Sequence, residues 1–425
     1  MITFLTESGD AAGCGRMSLS SRIVMPGQIW SVAAQDPSGP LYVTSHGSSP
    51  LETVVTMVDV SGAVHWEKAY AGTGHPRSRL SADGTLWLAY PRDKGGRTLE
   101  GILPDGSIGR TILLPCDTGE EVAAFVVLND GFCISWAGAS RMLLEAGHQP
   151  SHPPRVARYT IEGHCVWSTP ISLGTVSHPG VVGMSAETDW EIQPVKPWAP
   201  RLVEAAYSEP LLVSGDRIAA SFTDESSGIG RTFFLDLVSG TVVGATNPAP
   251  SGRKAISGPG EFLIGSQGYG QFTMSRFDRN GRETSQWASH GAMTVDSYGT
   301  IRGPELSNSL AFKLQFRQLA PANELLDGPP LAGYYTSHPA LDCDGTSVFW
   351  RDGKLLAVDA EMTLHELFAM DDSRNIMGRT LLLDGGRVAL SLDSEIVVFQ
   401  TQLGALAGGP WPCGDANLLG NPVLS

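Results

Sequence analysis

The chain has 425 residues, more than one ordinary hydrophobic core serves unless the fold repeats a single unit in a ring or stack. Its 50 Gly and 28 Pro leave little room for long helices, and a hydrophobic content of 42% is that of a globular chain, which together point to an all-β protein. A formal net charge of -15 without any Lys- or Arg-rich stretch excludes nucleic acid as a partner, because phosphate binding needs a concentrated basic surface.

The opening segment MITFLTESGDAAG lacks the basic region and long apolar core of a signal peptide, and no apolar run approaches bilayer length. The expectation is a cytoplasmic protein without membrane contact. Short β-rich runs separated by turn residues then follow one another. In chain order they group as PLYVTS…VTMVDVSGAVHWEKAYAG, GTLWLAY…TLEGILPDGSIGRTILL, GFCISWAG…RVARYTIEGHCVWSTPI, RIAASFTD…TFFLDLVSGTVVGAT, EFLIGSQ…FTMSRFDRNGRETSQWA and GTIRGPEL…AFKLQFRQLAPANELLD. After these come TSHPALDCDGTSVFW with its continuation RDGKLLAVDAEMTLHELFAM, and RTLLLDGGRVALSLDSEIVVFQ, which is short of an outer strand. The stretch from Thr336 echoes TGHPRSRLSADGTLWLAY, which begins at Thr73.

About eight units of roughly 40 to 50 residues is the period at which four-stranded antiparallel blades stack radially. The fold expected is an all-β, eight-bladed β-propeller, with seven blades as the fallback. One domain covers residues 1–425 and carries a face insertion at about 174–206. Either Ile2 to Thr6 or the C-terminal segment is expected to supply the strand missing from the last unit, since closure removes free edges.

The stretch SHPALDCDGTSVFWRDGKLLAVDAEMTLHEL resembles the repeat of the PQQ-like (quinoprotein dehydrogenase-like) propellers, with a Ser-Pro-Ala entry, a DG turn, an aromatic strand and an L-ALD strand. The tail GPWPCGDANLLGNP, Gly409 to Pro422, is similar to the GPWP…GD…NTG segment of such chains, with Leu418 and Leu419 departing from its usual ending. The resemblance covers most of the chain and is strongest in the seventh unit and the tail. It implies either a PQQ-dependent dehydrogenase or a non-catalytic scaffold like the outer-membrane assembly lipoprotein. The dehydrogenases hold PQQ against a disulfide of adjacent cysteines, whereas Cys14, Cys116, Cys133, Cys165, Cys343 and Cys413 are all separated, so PQQ is not expected. Free thiols are, because no zinc-ligand spacing occurs among them.

In a propeller the loops entering each first strand and those joining second to third strands share one face. His75, His178, His290 and His338 fall in the former, and His46, His148 and His152 in the latter, whereas His65, His164 and His365 follow the opposite turns. His75 and His338 occupy equivalent positions, with His178 at a third, and converge on an axial funnel. Three imidazoles there suit a divalent metal or acid–base chemistry of lyase, cyclase or isomerase type. The alternative is that each His-Pro only stiffens a loop.

The long connection GTVSHPGVVGMSAETDWEIQPVKPWAPRLVEAAYSEP brings Trp190, Trp198 and Arg201 to the same face, as a lid or as a packed strap. Tyr334, Tyr335 and Arg374 complete the expected binding set with His46 and His290. Glu120 and Glu121 read as solvated loop residues, and Asp342 and Asp344 as turn formers. Ser251 to Lys254, SGRK, matches a Ser-x-x-Lys pattern without the helix that pattern needs. Two functions follow: a pocket for a small polar molecule or peptide with catalysis, or a scaffold whose upper face grips a protein partner.

Overall fold

A computed structural model describes residues 18–49, 51–73, 77–91, 96–116, 120–137, 153–172, 203–205, 210–224, 229–268, 271–289, 291–306, 314–321, 324–332, 336–370 and 378–424. They form six four-stranded antiparallel sheets and one ten-stranded sheet. Among the described residues the sole helical element is the 3-10 turn Asp384–Gly386.

The first sheet, Ile29–Ala34, Leu41–His46, Thr53–Val58 and Val64–Tyr70, sets the pattern. Its third strand is buried at every position while its fourth alternates between exposed and half-buried residues. A strand covered on both faces reads as a continuous apolar run, and an outermost strand can be half polar. The second sheet is Arg77–Leu80, Leu86–Pro91, Arg97–Ile102 and Ile108–Leu114, and the third Glu121–Leu128, Gly131–Ala137, Arg155–Thr160 and Cys165–Pro170. The ten-stranded sheet contains two such meanders. Leu211–Ser214, Arg217–Asp224, Ile229–Asp236 and Val242–Ala245 precede Ala249–Gly258, Glu261–Gly268, Gln271–Phe277 and Glu283–Ala288, joined where Ile229 and Gly230 pair with Pro250 and Ala249. Two sheets follow, Thr294–Val295 to Leu325–Leu331 and Ala340–Leu341 to Leu364–Ala369. The last joins Thr380–Leu383, Arg387–Leu392 and Glu395–Gln400 to a strand from the other end of the chain.

That strand is Ser18–Val24, antiparallel to Glu395–Gln400 from Ser18↔Gln400 to Val24↔Glu395. The missing outer strand therefore comes from the N-terminal side, and the C-terminal segment is used elsewhere. Ile2 to Thr6 lie outside the described residues.

The turns explain the recurring Asp-Gly of the sequence. Asp278 Oδ1 accepts the N–H groups of Asn280 (2.8 Å) and Arg282 (3.0 Å), and Asp105 Oδ1 accepts that of Ser107 (2.8 Å). Asp342, expected as a turn former, accepts from Asp344 (3.0 Å) and Thr346 (2.7 Å) and adds Gly404 N–H (3.0 Å). Such Asx turns satisfy backbone donors that no ladder reaches. Gly106, at φ 81°, follows one of them, and a Cβ there would lie 2.7 Å from Trp66, whose indole N–H donates to Pro104 O at 2.9 Å. Trp167 repeats the arrangement, donating to Leu237 O at 3.1 Å beside Gly240. An outer-strand Trp thus locks onto the turn of the following sheet.

Contacts divide the chain into two compact units. The first comprises Met1–Tyr90, Leu99–Thr111 and Gly291–Pro422, and the second Pro91–Thr98, Ile112–His290 and Val423–Ser425. The core of the first unit lies between adjacent sheets, as where Tyr42, Val55 and Met57 pack with Leu80, Leu88 and Ile102. Its tail then crosses one first strand after another. Trp411 bridges to Val295, Pro412 O accepts Leu341 N–H (2.8 Å), Leu418 O accepts Ala34 N–H (2.9 Å) and Leu419 O accepts Leu80 N–H (3.3 Å). Arg379 pins it by donating to Val32 O (2.8 Å), Gly414 O (2.8 Å) and Asn417 O. Leu418, one departure from the expected motif, is buried in the core beside Ile23 and Val32. In the second unit Phe222, Phe233 and Leu235 pack with Val126, Cys133 and Val156, and Val423–Leu424 runs parallel to Val213–Ser214.

Candidate functional site

The second unit contains an open cleft between the two meanders of the ten-stranded sheet. One wall is written in cross-strand rows. Ile256 pairs with Phe262, Phe262 with Phe277 and Phe277 with Glu283, whereas the next row runs Lys254, Ile264, Ser275, Gln286, and the one beyond runs Ser251, Ser266, Thr273, Ala288. Residues paired across an antiparallel ladder share a face, so this face turns from aromatic to polar within two rows. The opposite wall changes in step: Ala219 pairs with Phe234, and Ser221 with Thr232. Phe234 packs on Phe262 (5.8 Å) and Phe277 (5.2 Å), closing the apolar end. At the other end hydroxyls replace the ring contacts and the sheets leave a gap.

Lys254 stands in that gap with only 3% of its surface exposed. Its Nζ donates to Ser251 Oγ at 3.0 Å and to Gly252 O at 2.9 Å. Residues three apart on a regular strand face opposite ways. Here the register steps from Ser251↔Ser266 to Lys254↔Ile264, three residues against two, and this bulge turns both side chains to one face. The bulge requires glycine opposite it, because a Cβ on Gly265 would lie 2.6 Å from Arg253 O. Arg231, at the edge of the cleft on the strand face it shares with Phe222, donates from Nε to Thr246 O at 2.9 Å and lies over the Phe233 ring at 5.6 Å. Burial lowers the pKa of its guanidinium below the ordinary arginine value. The hydroxyl pairs Ser221–Thr232 (2.7 Å) and Ser266–Thr273 (2.6 Å) can each donate either way. Glu283 accepts from Ser275 at 3.2 Å, and Gln286 donates to the same Ser275 at 3.2 Å. Among the described residues, two cations and one carboxylate line the cleft.

Of the residues singled out in the sequence, His75, His178, His290, Tyr334, Tyr335, Trp190, Trp198, Arg201 and Arg374 lie outside the described residues. His46 ends the strand Leu41–His46, half-buried, with its ring edge-on to Trp30 at 4.7 Å. His338 is half-buried before Ala340–Leu341, its N–H bonded to Gly378 O (2.9 Å) and its carbonyl to Thr380 N–H (3.1 Å). Its side chain abuts Gly414 of the tail, where a Cβ would lie 2.7 Å from that of His338. Among the described residues no group of three or more His, Cys, Asp or Glu side chains is placed to hold a metal ion. His365, on the fourth strand of its sheet, is exposed and pairs with Asp359 at 2.7 Å. Glu120 departs from its expectation. It is 2% exposed and receives Arg155 Nε at 2.7 Å, with that guanidinium 4.5 Å from the Trp136 ring, so it is an interior ion pair and not a solvated loop residue.

Compared with solved structures, the chain is similar to the quinohemoprotein alcohol dehydrogenase ADHIIG from Pseudomonas putida HK5, at 12% identity and TM-score 0.50 over 92% of this chain and 78% of that one. The fold is a β-propeller. At that identity the likeness speaks for the fold and for nothing further. The Dos1 propeller (11% identity, TM-score 0.42, 88% of this chain and 78% of that chain) and the β-propeller domain of Myceliophteria thermophila Cps50 (Swd1) (13%, 0.40, 88% and 100%) resemble it more loosely. No family model matches the sequence, and no curated protein does. The propeller's cleft residues Lys254 and Arg231 were not foreseen; the one signal was the Ser-x-x-Lys spacing, which only the bulge makes meaningful.

Proposed function

We propose that this protein is a single-domain, eight-bladed, cytoplasmic propeller of the PQQ-like repeat type that binds a small polar molecule in the Lys254 cleft. One observation carries the reading: a lysine with 3% exposure stands at the open end of a cleft whose other end is closed by packed aromatic rings. An ammonium with 3% exposure is costly to desolvate, and this one stands beside an open cleft rather than in a closed apolar core such as that around Tyr42 and Leu88. Concave sites with a few converging polar groups beside an apolar end are what small-molecule binding uses.

The test is thermal unfolding of the wild type and Lys254→Met against amino acids, nucleosides, neutral sugars, sugar acids and sugar phosphates. At least one class should raise the wild-type melting temperature and leave that of Lys254→Met unmoved. If Lys254→Met does not fold, Gln286→Leu replaces it. No shift with any class overturns the reading in favour of a protein-binding scaffold.

A second reading keeps His75, His178 and His338 as an axial acid–base or metal set. It is favoured by His338, whose backbone is held by hydrogen bonds to Gly378 and Thr380. Stoichiometric transition metal in the purified protein would support it, and protein that is metal-free after supplementation would end the metal version.

A further inference from the structure

We propose that Tyr70, Tyr90 and Glu100 of the first unit form a binding site for an organic ammonium group, with the two rings as its walls and the carboxylate as its counter-charge. The site does not depend on the Lys254 cleft.

The sign comes from Glu100. It is 6% exposed on the strand Arg97–Ile102, where its Oε1 accepts the Tyr70 hydroxyl at 2.7 Å and its Oε2 that of Tyr90 at 3.1 Å. The two phenols satisfy oxygens but bring no positive charge. Glu120, also interior, is held by Arg155 at 2.7 Å, whereas among the described residues no Lys, Arg or His forms an ion pair with Glu100. A buried carboxylate is ordinarily paired with a cation, since desolvating the charge is costly. The partner that would complete Glu100 is therefore positive.

The class of cation comes from the rings. Tyr70 closes the strand Val64–Tyr70 and Tyr90 is the penultimate residue of Leu86–Pro91, and both are half-buried, so part of each side chain still meets solvent. Their centroids lie 5.6 Å apart with planes inclined at 49°, an open V in which one cation can stand within ~6 Å of both rings. The ring faces attract a cation through their quadrupole, and a phenol that donates to a carboxylate carries added electron density into its ring. Both tyrosines pack on the apolar cluster of Leu80, Leu88 and Ile102, a floor of low dielectric that strengthens the attraction. A hard metal ion needs more oxygen ligands than one carboxylate supplies. An ammonium whose charge is spread over methyl or methylene groups instead suits aromatic walls above a buried anion.

Calorimetry on the full chain compares choline with 3,3-dimethyl-1-butanol, which has the same shape with carbon in place of nitrogen. A short peptide carrying trimethyllysine distinguishes a side chain of a protein partner from a free small molecule. Choline or the peptide should bind tenfold or more tightly than the neutral alcohol, and potassium chloride at equal ionic strength to sodium chloride should not displace it. Glu100→Gln should lose at least tenfold for the ammonium compound that binds. If Glu100→Gln does not fold, Tyr90→Leu, which removes one wall, should show the same loss. Choline and the alcohol binding equally, affinity unchanged in the variants, or no binding of either ammonium compound would each overturn the proposal and leave Glu100 as a hydrogen-bonded structural group.

Discussion

Arg379 holds three carbonyl oxygens, those of Val32, Gly414 and Asn417, with one guanidinium. Removing it leaves several interior acceptors without that donor, a loss of about 1 to 3 kcal/mol for each group that water cannot reach. Arg379→Met, which keeps the aliphatic stem, should therefore lower stability by roughly 2 kcal/mol or more in urea unfolding. An unchanged midpoint would mean that the tail is held by its apolar residues alone. Individual residues were the least legible part of the sequence. Arg379 follows a stretch with no motif, and its three acceptors are 347, 35 and 38 residues away along the chain. Ser251 and Lys254 carried a recognisable spacing, yet alternation along a regular strand puts them on opposite faces, and a bulge cannot be read from one strand without its partner. Glu120 read as a loop residue because its counter-ion Arg155 is 35 positions downstream.

The turns carry their own pH dependence. Hydrogen bonds from Ser38, hydroxyl first and then backbone, lower the Asp36 carboxyl; the Ser239 N–H does the same for Asp236, and the Arg282 N–H for Asp278. A folded pKa below the unfolded value of about 3.9 means stability that is present above that value and is lost as pH falls through the folded one. These turns should leave the urea midpoint level between pH 7 and pH 5 and lower it below about pH 4. A midpoint equal at pH 5 and pH 3 would show that the carboxylates are bystanders. Elements were far more legible than residues, and the turns are the reason. Asp-Gly recurs because an Asx turn with a left-handed glycine is the compact way to reverse a strand, so it punctuates the sequence at the period of the fold. Outer strands such as Val64–Tyr70 alternate visibly, and inner ones such as Thr53–Val58 read as apolar runs of strand length.

The chain ends do different work from that expected of them. Ser18–Val24 completes the last sheet, and Ile23, fully buried, is its anchor in the core with Leu381 and Val398. Proline at that position removes an N–H from the strand and a side chain from the core, so Ile23→Pro should cost about 3 kcal/mol or more. It should also promote aggregation, because Glu395–Gln400 would become a free edge. Light scattering and the melting temperature report both, and a variant as stable and as soluble as the wild type would disprove this closure. The closing strand also imposes an order on synthesis. Ser18–Val24 is translated early, but its partner is finished only when the ribosome reaches Gln400. At about 5 to 20 residues per second the wait is on the order of tens of seconds. Throughout it the segment SLSSRIV is a strand without a sheet, and its three serines and one arginine make it a poor template for a stranger's edge. A newborn chain that must hold one end open until the other arrives is exposed to interruption: any truncated product lacking residues 395–400 would carry an orphan strand and an unfinished sheet, a ready substrate for cellular quality control.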